Sequence, residues 1–196
     1  MIFILDILTG NAVKTMDLNH RAGCIGITDY KDANGKQMYL IVVGDKETYH
    51  VYNAEVPNDM SKMSLSPMSF FTLKDITFKE ITDKGSYKDR KKSIDCQGFG
   101  LVTDNENNVC MVATVKQGSE DWVYLLKLGI NSGSVTPTPS YCRHIKSQGG
   151  VHGDAGIHFR WGAGLRITPK NELAILATAR NIISGGYTRL DTNYWI

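Results

Sequence analysis

Apolar and polar residues along this chain alternate with the short period of extended strands, and the runs come in pairs. Ile2-Phe-Ile-Leu-Asp-Ile-Leu8 and Ala12-Val-Lys-Thr-Met-Asp-Leu18 flank a turn at Thr9-Gly10-Asn11. Gly23-Cys-Ile-Gly-Ile-Thr28 and Met38-Tyr-Leu-Ile-Val-Val43 flank Asn34-Gly35. Gly98-Phe-Gly-Leu-Val-Thr103 and Val109-Cys-Met-Val-Ala-Thr114 flank a polar turn. Gly162-Ala-Gly-Leu-Arg-Ile-Thr168 and Leu173-Ala-Ile-Leu-Ala-Thr178 flank Pro169-Lys-Asn171. Period-two runs bounded by Gly, Pro and Asn predict hairpins. No long segment sustains apolar residues at the helical spacing, so no long helix is predicted.

Three of the pairs open on a Gly-rich run that closes on a threonine, at Thr28, Thr103 and Thr168. Each is followed by a third strand: Tyr49–Val56, Val123–Leu128 and Tyr187–Trp195. A more variable fourth element follows. In the first unit it lies within Pro57–Ser93, where Phe70–Leu73 and Ile76–Ile81 alternate and Met60, Met63 and Met68 predict a packed loop. Thr136-Pro-Thr-Pro139 predicts a stiff surface connector. Repeated four-strand units are the sequence form of propeller blades. Inner strands crowd an axis and need small residues, as at Gly98, Gly100, Gly162, Ala163 and Gly164, while outer strands have room for Tyr and Trp.

The expectation is therefore an all-β protein of β-propeller-type repeats, with four-stranded antiparallel blades and about three blades per chain. A single domain spans 1–196: a half-blade over 1–18, blades over 19–93 and 94–148, and a partial blade over 149–196. Three blades are too few to close a ring. The expected partner is a second copy, in a homodimer that completes a six-bladed ring and pairs both open edges. The alternative is a longer propeller of which this is a part. The segment Ile2-Phe-Ile-Leu-Asp6-Ile-Leu-Thr9-Gly10-Asn-Ala-Val-Lys-Thr15 resembles the outer-strand hairpin of quinoprotein-like propeller repeats. That resemblance covers one hairpin and implies blade geometry only. The docking tryptophans of quinoprotein blades are missing from the other units, so no cofactor comes with it.

Composition narrows the function classes. With 196 residues, 42% hydrophobic and 21% charged, the chain has the make-up of a soluble globular domain. A net charge of +2 makes no electrostatic case for nucleic acid or an anionic membrane. The basic cluster Lys88-Asp-Arg90-Lys91-Lys92 reads as a solvated loop. No apolar run is long enough for a membrane span. No signal peptide is present; a mature secreted protein also lacks one, so the compartment stays open. Cys24, Cys96, Cys110 and Cys142 show no Cys-x-x-Cys spacing, which leaves one disulfide open and its pairing unreadable.

Candidate chemistry gathers in the loops that enter the Gly-rich strands, because these open at one mouth of a propeller. The densest is Gly149–Trp161, with His152, Asp154, His158, Arg160 and Trp161; His20 and Arg21 hold the corresponding place in the first unit. Aromatic rings stack on sugar faces while Arg and Asp bond hydroxyls. These seven residues are the expected contacts for a glycan or another small polar ligand. His152, Asp154 and His158 are also metal-type donors, but such triples arise readily in Gly-rich loops, so no metal or cofactor is assigned. Asp29–Gly35 lacks the spaced carboxylates of a calcium loop and reads as a plain turn. No nucleophile elbow, phosphate loop or zinc-protease helix is present, and no catalytic residue is assigned. A glycosidase-like hydrolase at the same mouth, drawing on Asp95, Glu120 or Asp154, is one alternative. A structural or protein-interaction propeller is the other.

Overall fold

The computed structural model describes residues 1–45, 48–73, 76–81, 87–92, 99–117, 120–144, 156–158, 165–170, 172–175, 178–183 and 186–190. Apart from one 3-10 turn at Met60–Lys62, the regular elements among them are all β-strands, as the period-two pattern predicts. No helix among the described residues is long and apolar enough to cross a membrane.

Strands β1 (Ile2–Leu5) and β2 (Ala12–Met16) form an antiparallel hairpin. Strands β3 (Cys24–Lys31), β4 (Gln37–Asp45), β5 (Thr48–Glu55) and β6 (Ser66–Thr72) form an antiparallel meander in that order. The chain then makes the hairpin of β7 (Ile76–Ile81) and β8 (Tyr87–Lys92). A second meander follows: β9 (Phe99–Thr103), β10 (Val109–Gln117), β11 (Glu120–Asn131) and β12 (Ser134–His144). Its β12 takes β7 alongside in parallel, giving a six-stranded sheet ordered β8-β7-β12-β11-β10-β9. Of the remaining strands β13 (Gly156–His158), β14 (Leu165–Ile167), β15 (Leu173–Ile175), β16 (Thr178–Ile183) and β17 (Gly186–Leu190), β14 pairs with β15, and β16 lies between β13 and β17.

The two meanders pack face to face over one core. Leu40, Val42, Tyr49, Val51, Phe71 and Leu73 meet Phe99, Met111, Ala113, Tyr124 and Leu126. Burying each such large side chain is worth roughly 1.5–3 kcal/mol, so this interface holds the sheets together. The second face of the first sheet carries a smaller cluster of Ile41, Val43, Ala54 and Met63, covered by Ile2, Ile4, Leu18, Met60 and Leu65. Strand β4 is thus buried on both faces, which is why Met38–Val43 reads as an unbroken apolar run. Of the packed loop expected at Met60, Met63 and Met68, Met60 and the buried Met63 lie in this second cluster, whereas Met68 belongs to strand β6 and packs against the main core.

Strand β3 lies beside β9, and Gly26 is the reason they approach so closely. A Cβ at Gly26 would stand 2.7 Å from the Phe99 ring and 3.0 Å from Leu101 Cγ. Just beyond it the Thr28 and Thr103 hydroxyls meet at 2.9 Å across the two sheets. Thr103 donates to the carbonyl of Asp29, so Thr28 is the donor to Thr103.

One hairpin-tip geometry recurs three times, in a register that differs from the threonine alignment. In the first tip the Asp32 carboxylate accepts from the amides of Asn34 and Lys36, at 2.9 and 2.8 Å. In the second, the Asp104 carboxylate accepts from Glu106 and Asn108, at 3.0 and 2.8 Å. Gly35 (φ 78°) and Asn107 (φ 66°) fill the same left-handed position. In the third tip Thr168 Oγ1 accepts from the Glu172 amide at 3.1 Å, in the place of the carboxylate. The equivalent positions are thus Asp32, Asp104 and Thr168; the run of strand residues before each is what varies.

Two local expectations are corrected. Thr136–Pro139 lies inside β12 and is not a connector. Val135 sends its amide away from β11 to Ser69 Oγ at 2.9 Å. By strand alternation Pro137 and Pro139 face the same way, where β11 asks for no donor. The basic cluster at Lys88–Lys92 is likewise the edge strand β8 and not a loop. Its register sets Lys88 opposite Glu80 and Asp89 opposite Lys79, and charge along an edge discourages further pairing. Cys24 is disulfide-bonded, and Cys110 is a free thiol.

Candidate functional site

A cleft of about 710 Å³ opens between the two packed meanders at the end where their hairpin tips lie. The first sheet supplies Tyr30 and Lys31 at the end of β3, the Asp32–Asn34 turn, Met38, Asn53 and Met68. The second supplies Asn107–Val109, Lys127–Asn131, the Ser132-Gly133 turn and Thr138. Gly133 adopts φ 77° there, a left-handed turn that costs glycine nothing.

Asn107 positions the rim. Its side-chain amide accepts from Lys31 N–H and donates to Lys31 C=O, both at 2.8 Å. The amide acts as a one-residue strand added to the end of β3, and it ties the tip of one sheet to the edge of the other. Asn108 is held next to it, donating through Nδ2 to Asp104 Oδ2 at 2.9 Å. Tyr30 and Asn53 are hydrogen-bonded through their side chains. Burial and the nearby Asp32 charge push the Tyr30 hydroxyl above its ordinary range, against the Asn53 bond, so it stays protonated at neutral pH.

The lining is amide-rich. Five of its side chains, Asn34, Asn53, Asn107, Asn108 and Asn131, are asparagines, each carrying donor and acceptor without charge. Two ammonium groups, Lys31 and Lys127, lie on the rim. Asp32 is the one carboxylate among these lining residues, and it already serves its own turn. Met38, Met68, Leu128 and Ile130 give an apolar surface beneath the polar rim. Such a pocket combines directional hydrogen bonds with a non-polar face.

Of the residues expected from the sequence, His20, Arg21 and His158 are described, and none of the three lines the cleft. His20 and Arg21 precede β3, at the opposite end of that strand from the cleft. His20 Nδ1 donates to the Arg21 carbonyl at 2.7 Å, and Nε2 lies 2.6 Å from the Tyr52 hydroxyl. Its ring stacks on His50 with centroids 3.7 Å apart and planes 13° from parallel. Both ring nitrogens are therefore occupied, and Arg21 is exposed. His158 ends β13, opposite Thr178 of β16. His152, Asp154, Arg160 and Trp161 lie outside the described residues, as does Asp95. Among the described residues no group of three or more His, Cys, Asp or Glu is arranged to hold a metal ion. The cleft was missed because its residues come from five separate tips and strand ends. The available signal was the tip pattern itself, Asp32-Ala-Asn-Gly-Lys36 against Asp104-Asn-Glu-Asn-Asn108.

No known protein family, no curated protein and no solved structure matches the chain.

Proposed function

We propose that this is a propeller-type binding protein whose two packed meanders are successive blades, and that it takes an uncharged polyhydroxylated ligand of the glycan class in the cleft between them. The radial reading is supported by inner strand lying against inner strand, β3 on β9, with the same Asp-anchored tip in the first two units and a Thr168-anchored one in the third. The binding reading rests on one observation: five asparagines around a single cleft with an apolar floor. Primary amides match sugar hydroxyls, which both donate and accept. Binding is favoured over hydrolysis because the cleft's lining holds one carboxylate, whereas glycoside cleavage uses two flanking the bond.

The test is a glycan array followed by calorimetry on the best ligand, with Asn34→Ala and Asn131→Ala as variants. Both side chains are exposed, so neither substitution should disturb folding. Each lost hydrogen bond is expected to weaken binding by about tenfold, the equivalent of about 1.4 kcal/mol. Blank arrays, or binding that both variants leave unchanged, contradict the proposal.

A further inference from the structure

The connector between β2 and β3 is held on the first sheet by an unusual pair of rings. His20, from the connector, stacks on His50 of β5, with 3.7 Å between centroids. His50 in turn lies 6.3 Å from Phe70 of β6. Phe70 is 68% exposed, so the stack stands at a water-accessible surface that protons reach.

The hydrogen bonds fix which ring nitrogen of His20 carries the proton in the neutral ring. Arg21 O only accepts, so His20 carries its proton on Nδ1. In the neutral ring Nε2 is then the acceptor, and the Tyr52 hydroxyl donates to it. Two neutral imidazoles stack without penalty. Two imidazolium rings at this separation place like charges face to face, and the favourable offset of one by a carboxylate is limited. The groups against the pair are the Arg21 backbone carbonyl from the connector, Asp45 of β4, Tyr52 of β5 and the uncharged Phe70 of β6.

We infer that His20 and His50 form an acid-operated latch, which holds the β2–β3 connector against the first sheet at neutral pH and releases it when both rings are charged. Burial, and then the neighbouring His20, hold His50 below its ordinary value, with Asp45 opposing in part; the second proton therefore enters late and at a cost. Release stops at the flanking anchors. Leu18 stays in its apolar cluster, and the Gly23 amide stays on the Gly44 carbonyl at 2.8 Å. What opens is the short span 19–22, which uncovers Tyr52 and His50 beside the exposed Phe70.

Contacts between the ring protons of His20 and His50, read as nuclear Overhauser effects, test this at about pH 7.5 and about pH 5. They are expected to be strong at the higher pH and lost on acidification in the natural protein, while the contact of His20 with the new ring persists at both pH values in His50→Phe, where an uncharged ring keeps the stack. Contacts equally strong at both pH values, or the same loss in His50→Phe, overturn the latch. Should His50→Phe not fold, the ring-proton titrations of the natural protein decide. Two coupled, non-single transitions at His20 and His50 support it, and two independent single transitions overturn it.

Discussion

Asn107 bonds Lys31 through both ends of one amide, to its N–H and to its C=O, each at 2.8 Å. A single side chain thereby completes the edge of β3 and fixes the distance between the two walls of the cleft. Asn107 also holds a left-handed backbone, φ 66°, that asparagine tolerates and alanine does not. Asn107→Gly is expected to remove the bonds and keep the turn; Asn107→Ala removes the bonds and strains the turn. Chemical denaturation should show the alanine variant less stable than the glycine variant by about 1 kcal/mol. Both should bind ligand more weakly than the natural chain. Equal stability of the two would mean that the backbone conformation carries no cost.

The approach of β3 to β9 rests on the missing side chain at Gly26. Gly26→Ala drives a methyl into the Phe99 ring, which Tyr49 holds edge-on with centroids 5.5 Å apart. The expected loss is about 1–3 kcal/mol, or roughly 2–4 °C in Tm per kcal/mol for a chain of this size. Pairing it with Phe99→Leu, which clears the contact, should recover part of that loss. A double variant no better than the sum of the two would place the strain elsewhere.

Acid should destabilise the fold in two separate windows. His50 has a depressed value in the folded chain, so its unfolded form binds protons first. Stability is full above about pH 6.5 and falls as pH drops through the lower folded value. Asp104 is also depressed. Burial alone would raise it, but bonds from the Asn108 side chain, the Asn108 and Glu106 amides and the charge of Lys127 outweigh that. Its contribution is present above about pH 3.8 and is lost below. Thermal midpoints against pH should therefore show an upper step that His50→Phe abolishes and a lower step that Asp104→Asn reduces. A flat profile between about pH 7 and pH 5 contradicts the first assignment.

The second copy expected from the repeat count remains a proposal with a direct readout. Sedimentation velocity should find a species of twice the 21.8 kDa chain mass at micromolar concentration. A stable monomer removes the shared ring.

Much of the fold was legible because strand burial writes itself into the alternation. Ile25 and Ile27 outward with Gly26 and Tyr30 inward mark β3, and Met38–Val43 marks a strand with sheets on both sides. The register of the repeat was less legible. The sequence aligns on threonines at the strand ends, but the geometry follows the carboxylate or hydroxyl that caps each tip, Asp32, Asp104 and Thr168. Pro137 and Pro139 misled for a related reason. A proline in a strand is tolerated where the ladder needs no N–H, and that depends on which neighbour lies alongside. The cleft was the least legible part. Its asparagines are spread from Asn34 to Asn131, and no local pattern says that tips of two different sheets will meet. His20 was singled out from the sequence for a ligand, and the structure engages it with Arg21, Tyr52 and His50.

The proposed ligand site lies between the two meanders. The most direct measurement is a titration of the isotope-labelled protein with the oligosaccharide that scores highest on the array, read at the asparagine side-chain amides. Saturable shifts are expected at Asn34, Asn53, Asn107, Asn108 and Asn131, with His20 and Arg21 unmoved. Shifts confined to residues around His20, or saturable binding with all five amides unmoved, would contradict it.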